Sequence, residues 1–149
     1  MALNLDSYLA GVFDSEGTVV VYVSTNEKRQ GGTQIRIVVK MTDRIALRLF
    51  AKRFGGSVRP ERGRNIRLPH IKPIYLWTLC GKKSVEALQT LSQLCLIKAA
   101  QLKLALEAMP LLMGKRFFSV PQDNMQRRIE LAKEIARLKR IPVDDALGV

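Results

Sequence analysis

The segment Leu9-Ala10-Gly11-Val12-Phe13-Asp14-Ser15-Glu16-Gly17 decides how the rest of the chain is read. It opens as an apolar helix and closes on two acids beside a small residue and a glycine. Thr18-Val19-Val20-Val21-Tyr22-Val23 follows at once, a β-branched run that reads as a strand. A helix expected to start at an Asn4 or Asp6 cap and run to about Phe13 therefore delivers carboxylates to a helix-to-strand junction. Ser7, Gly11 and Ser15 recur at steps of four and share one helix face, beside an apolar surface of Leu5, Leu9, Val12 and Phe13 with Tyr8 at its margin. A face without side-chain bulk lets a second helix backbone come close. Gly11 costs roughly 1 kcal/mol of helix propensity relative to Ala, a cost that makes sense where the helix must touch something. If that something is a second copy, two-fold symmetry brings two Glu16 side chains together at the base of the pair.

Leu9 to Gly17 resembles the LAGLIDADG motif of homing endonucleases. Leu9, Ala10, Gly11, Val12, Phe13, Asp14 and Gly17 match it; Ser15 stays small where Ala or Gly is usual, and Glu16 stands where the family has Asp or Glu. Nine positions with fixed small residues and an acid are far more specific than a lone glycine motif, and structural context has to confirm them.

Composition bounds the answer independently. The chain has 149 residues, 47% of them hydrophobic, which suits one domain; a domain near that size buries roughly 70% of its unfolded surface. Its formal charge is +12, with Lys and Arg in every segment rather than in one tail. Such a field attracts polyanions, nucleic acid above all; a merely soluble basic protein is the plain alternative. Membrane association is not expected, since there is no basic amphipathic terminal helix, lipidation signal or apolar run of spanning length. Cys80 and Cys95 lie in apolar runs and read as reduced and buried. One histidine, His70, and no Cys-x-x-Cys make a zinc site improbable. Without a secretion signal at Met1, an intracellular location, cytoplasmic or organellar and not secreted, is expected.

Along the chain, Val19, Val21 and Val23 share one face of the first strand, while Thr18, Val20, Tyr22 and Ser24 share the other. A polar turn over 26–32 leads to a second strand, Thr33 to Met41. There Ile35, Ile37, Val39 and Met41 form a core face, and Gln34, Arg36, Val38 and Lys40 the opposite one. Most such faces are simply solvated. A β-ribbon can also enter the DNA major groove, where Gln pairs with adenine, Arg with guanine and apolar groups meet the thymine methyl. The net charge favours that reading. Thr42 is expected to cap a helix over 43–54 whose inward residues are Ile45, Ala46, Leu49, Phe50 and Phe54, closed by Gly55-Gly56. A short strand over 57–62 carries Pro60 and so belongs at a sheet edge. After a turn at 63–65 and a basic connection, a fourth strand, 74–80, alternates Tyr75, Trp77 and Leu79 against Leu76 and Thr78. Two helices follow, broken near Leu96-Ile97-Lys98, the second stopped by Pro110 and Gly114. A final helix, about 122–139, uses Met125, Ile129, Ala132, Ile135 and Ala136. The expectation is one α+β domain over 1–140, helix–strand–strand–helix–strand–strand–helix with further C-terminal helices, and a frayed tail over 141–149.

The resemblance implies more than these patterns do. It implies an αββαββα core whose four antiparallel strands form a concave saddle over DNA, covering roughly Leu5 to Pro110. It implies a homodimer that binds double-stranded DNA, not a small-molecule substrate, and makes a staggered double-strand cut in a long pseudo-palindromic target across the minor groove. Phosphodiester hydrolysis needs an activated water and a stabilised leaving oxygen, which a divalent metal held by carboxylates supplies. By resemblance Glu16 is the metal ligand, where read alone it is an exposed turn acid; the Ser15 carbonyl is a further ligand, and Asp14 shapes the helix end. Oxygen-only ligation suits Mg²⁺. Lys98, within Leu96-Ile97-Lys98-Ala99-Ala100-Gln101, matches the family's active-site lysine in position; a solvated helix lysine is its plain alternative. Candidate base-readers are Tyr22, Ser24, Asn26, Lys28, Gln34, Arg36, Val38, Lys40, Ser57, Arg59, Glu61, Leu76 and Thr78, and candidate dimer-interface residues are Ser7, Gly11 and Ser15. There is one departure. Thr42-Asp43 stand where the family often has a polar water-ordering group, and Leu47 where one branch has Arg. The rival expectations are a non-catalytic DNA-binding regulator or intron-splicing maturase on the same scaffold, and a monomeric basic RNA-binding protein.

Overall fold

A computed structural model describes residues 4–23, 33–61, 72–112 and 122–140. The 26–32 turn with Ser24, Asn26 and Lys28, the 63–65 turn, His70, Gly114 and the 141–149 tail lie outside the described residues.

The elements run α1 (Leu5–Glu16), β1 (Gly17–Val23), β2 (Thr33–Met41), α2 (Arg44–Phe54), β3 (Ser57–Pro60), β4 (Tyr75–Cys80), a 3-10 turn (Gly81–Ser84), α3 (Val85–Leu94), α4 (Ala99–Leu112) and α5 (Gln122–Leu138). The strands form one antiparallel sheet in the order β1-β2-β4-β3. Pro60 thus lies on an edge strand, as its missing N–H requires. This is the expected αββαββα core with C-terminal helices. The helices cover one face of the sheet, and the core between them takes in Leu9, Phe13, Val19, Ile35, Ile37, Phe50, Trp77, Leu88, Leu102 and Leu131.

Several boundaries and faces differ from expectation. Helix α1 does not stop near Phe13 but continues through both acids to Glu16, and β1 starts at Gly17 without a loop. Asn4 is its N-cap, accepting from the Ser7 N–H at 3.2 Å. Asp6 is spent elsewhere, taking two hydrogen bonds from Arg53 of α2 at 2.7 and 3.2 Å. Asp43, not Thr42, caps α2, accepting from the Ile45 N–H at 2.7 Å. That start turns Ala46, Leu47, Phe50 and Phe54 toward the sheet and leaves Ile45, expected inward, 68% exposed.

Helix α2 closes tightly because Trp77 is beneath it. The indole N–H donates to the Gly55 carbonyl at 2.7 Å, and its ring stacks on Phe50 with centroids 4.7 Å apart. Gly56, at φ +88°, has room for no side chain, since a Cβ would lie 2.5 Å from the Thr78 carbonyl oxygen.

Pro110 lies inside α4 rather than ending it. Without an N–H the proline gives no hydrogen bond to the carbonyl four residues back, so α4 goes without one rung there. Helix α5 buries Arg128, Leu131 and Ile135, while Ala136, expected inside, is exposed. The Arg128 guanidinium reaches the Leu111 carbonyl at 2.6 Å and the Thr33 hydroxyl at 3.0 Å, joining α5 to the end of α4 and the start of β2. Burial depresses its pKa.

Candidate active site and nucleic-acid interface

The site is built where α1 becomes β1. Phe13 is fully buried, and its ring lies directly under Gly17: a Cβ there would come within 2.3 Å of it. The closing glycine of the motif is thus a steric requirement, because Gly17 has an ordinary extended backbone, φ −82°. The tight passage leaves Glu16 exposed at the end of the helix. Among the described residues it makes no hydrogen bond or ion pair.

Asp14 has the opposite fate. Its carboxylate accepts the backbone N–H of Leu96 at 2.7 Å, of Ile97 at 3.1 Å and of Lys98 at 3.0 Å. The corner between α3 and α4 is thereby fastened to α1. Lys98 reaches back, its ammonium donating to the Phe13 carbonyl at 3.1 Å and to the Gly17 carbonyl. Helix α1 has no basic residue in its own last turn. Lys98 supplies that cation from another helix, where the helix dipole favours it. Burial lowers the Lys98 pKa, against the opposing pull of Asp14 and Glu16. Lys139, just past α5, is exposed as a residue, yet loss of hydration at its ammonium lowers its pKa, and the Lys98 charge adds to the effect.

The face of the sheet that no described helix covers carries the expected alternation. A groove of about 820 Å³ is lined by Glu16, Thr18, Val20, Tyr22, Gln34, Arg36, Val38 and Lys40. The acid at the end of the motif and the row of candidate base-readers therefore share one concavity. Cross-strand register extends it: Thr18, Val38, Thr78 and Ser57 form one row over all four strands. Val20, Arg36 and Cys80 form a second row, and Lys40, Leu76 and Arg59 a third. Four strands at 4.7–4.9 Å spacing span about 14 Å, close to the ~12 Å width of a DNA major groove.

Among the residues named from sequence, Tyr22 is 63% exposed and Gln34, Arg36, Lys40, Ser57 and Arg59 are also exposed. Val38, Leu76 and Glu61 are half-buried. Arg36 donates to the Gln34 side chain at 3.2 Å, and Lys40 pairs with Glu61 at 2.6 Å. Thr78 is buried, at 8% exposure, although it shares the row of Thr18, Val38 and Ser57. Thr18, Val20 and Cys80 were not singled out as base-readers, though the same alternation marks them. Lys139 carries no comparable signal, because nothing local tells where a helix end will land. Leu47 is fully buried and Asp43 is occupied as a cap, so the corner after β2 brings neither as a free polar group.

On the outer side of α1, Ser7, Tyr8, Gly11 and Ser15 are exposed. With Val12, Glu16 and Met41 they border a shallow groove of about 490 Å³. The Ser15 hydroxyl is tied to the Gly11 carbonyl at 3.2 Å, so the stripe stays flat. No group of three or more His, Cys, Asp or Glu able to hold a metal occurs among the described residues. None of the described helices is long and apolar enough to cross a membrane.

No protein-family model matches the chain, and no curated protein matches it by sequence. Solved structures do match. The homing endonuclease I-CvuI in complex with DNA superposes with TM-score 0.71 at 20% identity, over 96% of this chain and 92% of that one. The archaeal intron-encoded homing endonuclease I-Vdi141I, complexed with DNA, gives 0.73 at 15% identity, over 96% and 92%. The homing endonuclease I-TnaI gives 0.65 at 23% identity, over 94% and 96%. The LAGLIDADG homing endonuclease I-SmaMI is matched over 95% of this chain but only 50% of its own. With α1 ending in Asp14-Ser15-Glu16, β1 opening on Gly17 and a four-stranded antiparallel sheet beside it, the chain has the fold of the LAGLIDADG homing endonucleases.

Proposed function

We propose that this chain is a homodimeric, divalent-metal-dependent endonuclease that cuts double-stranded DNA at a specific site, leaving a staggered break. The observation that carries the reading is the single groove shared by Glu16 and the polar row of β1 and β2. A nuclease needs an acid next to the surface that holds DNA. This acid is exposed, its side chain is unpaired among the described residues, and it precedes the Gly17 that packs on the buried Phe13 ring. The +12 charge supplies the sequence-independent attraction to phosphate.

The donors fit a hard cation. The Glu16 carboxylate and the Ser15 carbonyl, one of the last carbonyls of α1 and without an intrahelical partner, are oxygen ligands of the kind Mg²⁺ takes alongside water and phosphate. Neighbouring structures of I-CvuI were determined with Mg and with Ca. When bound, such an ion lowers the pKa of water and neutralises charge on the phosphate. The chain's own residues do the rest. Gln34, Arg36 and Lys40 present donors and acceptors to base edges, with Val38 as the apolar contact. Lys98 holds a positive charge beside Glu16, where it can stabilise a phosphate oxygen. The flat Ser7–Gly11–Ser15 stripe accepts the same stripe of a second copy, bringing a second Glu16 to the pair.

Glu16→Gln keeps the shape and removes the charge. On a target selected from a randomised DNA library it should bind like the parent and give no discrete products with Mg²⁺. Cutting by that variant removes Glu16 from the mechanism. A parent protein that binds its target and never cuts, with Mg²⁺ or without, is instead a regulator or maturase on this scaffold. The unfurnished corner at Leu47 is the feature that favours that second reading.

A further inference from the structure

The two acids of the motif are only two residues apart, yet the structure gives them separate work. We infer that Asp14 is a positioning residue for Lys98: it fixes the turn that leads into α4 and thereby sets where the Lys98 ammonium stands. The consequence for cleavage rests on the endonuclease reading above.

The geometry is a reciprocal clasp. The Asp14 Oδ1 accepts two amides, those of Ile97 and Lys98, and Oδ2 accepts that of Leu96. Helix α4 begins at Ala99, with the Leu102 N–H bonded to the Lys98 carbonyl at 3.1 Å, so Lys98 is the residue that opens it. Backbone amides in a turn between two helices belong to no ladder and need an acceptor from elsewhere. Here a carboxylate from another helix, 82 to 84 residues away in sequence, takes three in succession. Lys98 completes the clasp from the other side by donating to the carbonyls of Phe13 and Gly17, which bracket Asp14 in the chain. One helix gives a carboxylate and receives an ammonium; the other gives the ammonium and receives the carboxylate.

Two conclusions follow. Both Asp14 oxygens accept amides, whereas the Glu16 carboxylate is the exposed one of the two. Lys98, whose long side chain carries about 2 kcal/mol of rotamer entropy, has its backbone fixed before any substrate arrives. Misplacing a reacting or charge-stabilising group by about 1 Å can cost on the order of a hundredfold in rate. The Cys95 thiol adds a second tie at this corner, donating to the Ala10 carbonyl at 3.5 Å, and takes none of the three amides that Asp14 accepts.

A double-mutant cycle tests the coupling: Asp14→Asn, Lys98→Ala and both together, in single-turnover cleavage of selected target DNA with Mg²⁺. Asp14→Asn alone should slow cleavage by about 30- to 100-fold, with DNA affinity within about threefold of the parent. In the Lys98→Ala background the same change should add less than about threefold. Equal losses in both backgrounds would make Asp14 a general structural residue and overturn the inference. Amide hydrogen exchange at Leu96, Ile97 and Lys98 gives a second readout that needs no cleavage: these amides should exchange at least about tenfold faster in Asp14→Asn while the β2 amides keep their protection. Unchanged exchange at these three amides refutes the clasp. A parent protein that cuts nothing refutes only the endonuclease reading, because the exchange experiment still judges the clasp. If Asp14→Asn does not fold, Asp14→Ser, with its shorter acceptor, takes its place in both measurements.

Discussion

Gly11→Leu should have opposite effects on the isolated chain and on its assembly. A Cβ built at Gly11 meets no heavy atom within 4 Å, so within one chain the position is open space on the outer face of α1. Replacing a mid-helix glycine there removes its backbone-entropy cost and gains up to about 1 kcal/mol. For a chain of this length that raises the melting temperature by about 2–4 °C. If two α1 helices meet along Ser7, Gly11 and Ser15, the two-fold axis puts both substituted residues into one contact. Overpacking costs typically 1–3 kcal/mol per insertion, so two leucines weaken the dimer by about 2–6 kcal/mol. That is a dissociation constant higher by roughly thirtyfold at the least and more than ten-thousandfold at the most. Sedimentation equilibrium over a dilution series reads the mass against the 16.8 kDa of one chain. Thermal unfolding at the most dilute point, where both proteins are monomeric, reads the intrinsic stability. A variant that stays dimeric beside a dimeric parent refutes the close helix approach, and a parent that never exceeds one chain's mass refutes the dimer.

Two further outcomes are expected. Arg36→Ala should relax the preference at one symmetric pair of target positions, costing about 1–3 kcal/mol in binding-site selection; a uniform loss on all sequences would make Arg36 a phosphate contact. Cys95 gives a pH dependence, since burial first and the adjacent Asp14 second push its thiol up to about 12. Its neutral form is favoured by folding, so the associated stability is whole below the ordinary thiol range near 8.5 and is lost as pH rises toward about 12. Urea midpoints should therefore fall across that window, and less steeply in Cys95→Ala; parallel profiles for the two proteins would refute it.

Strand β2 was legible because its alternation is strict: with a period of two, the residues that face the core fix those that face outward. The edge placement of β3 followed from Pro60, since a residue without an N–H cannot serve a central strand. Helix α2 shows where pattern reading slips. Ile45 and Leu47 are both apolar and adjacent to the stripe, and only the Asp43 cap, by setting where the helix starts, decides which of them turns inward. Thr78 has the right parity for the open face yet is only 8% exposed, because burial depends on neighbours from other strands that parity does not count.

The sequence by itself determined the helix-to-strand junction, the parity of the sheet faces and the concentration of acid beside a basic, polar surface, because each depends on neighbours within a few positions. Only the tertiary structure decided which acid is free. Asp14 and Glu16 are chemically alike and nearly adjacent, yet an amide cluster more than eighty residues onward consumes one carboxylate and leaves the other exposed. The same holds for Lys98 and Lys139, whose ammonium groups are brought into mutual influence by helices arriving from different parts of the chain. Hydrogen bonds and charges act through space, and periodicity along a chain carries no record of which distant groups the packing will set against each other.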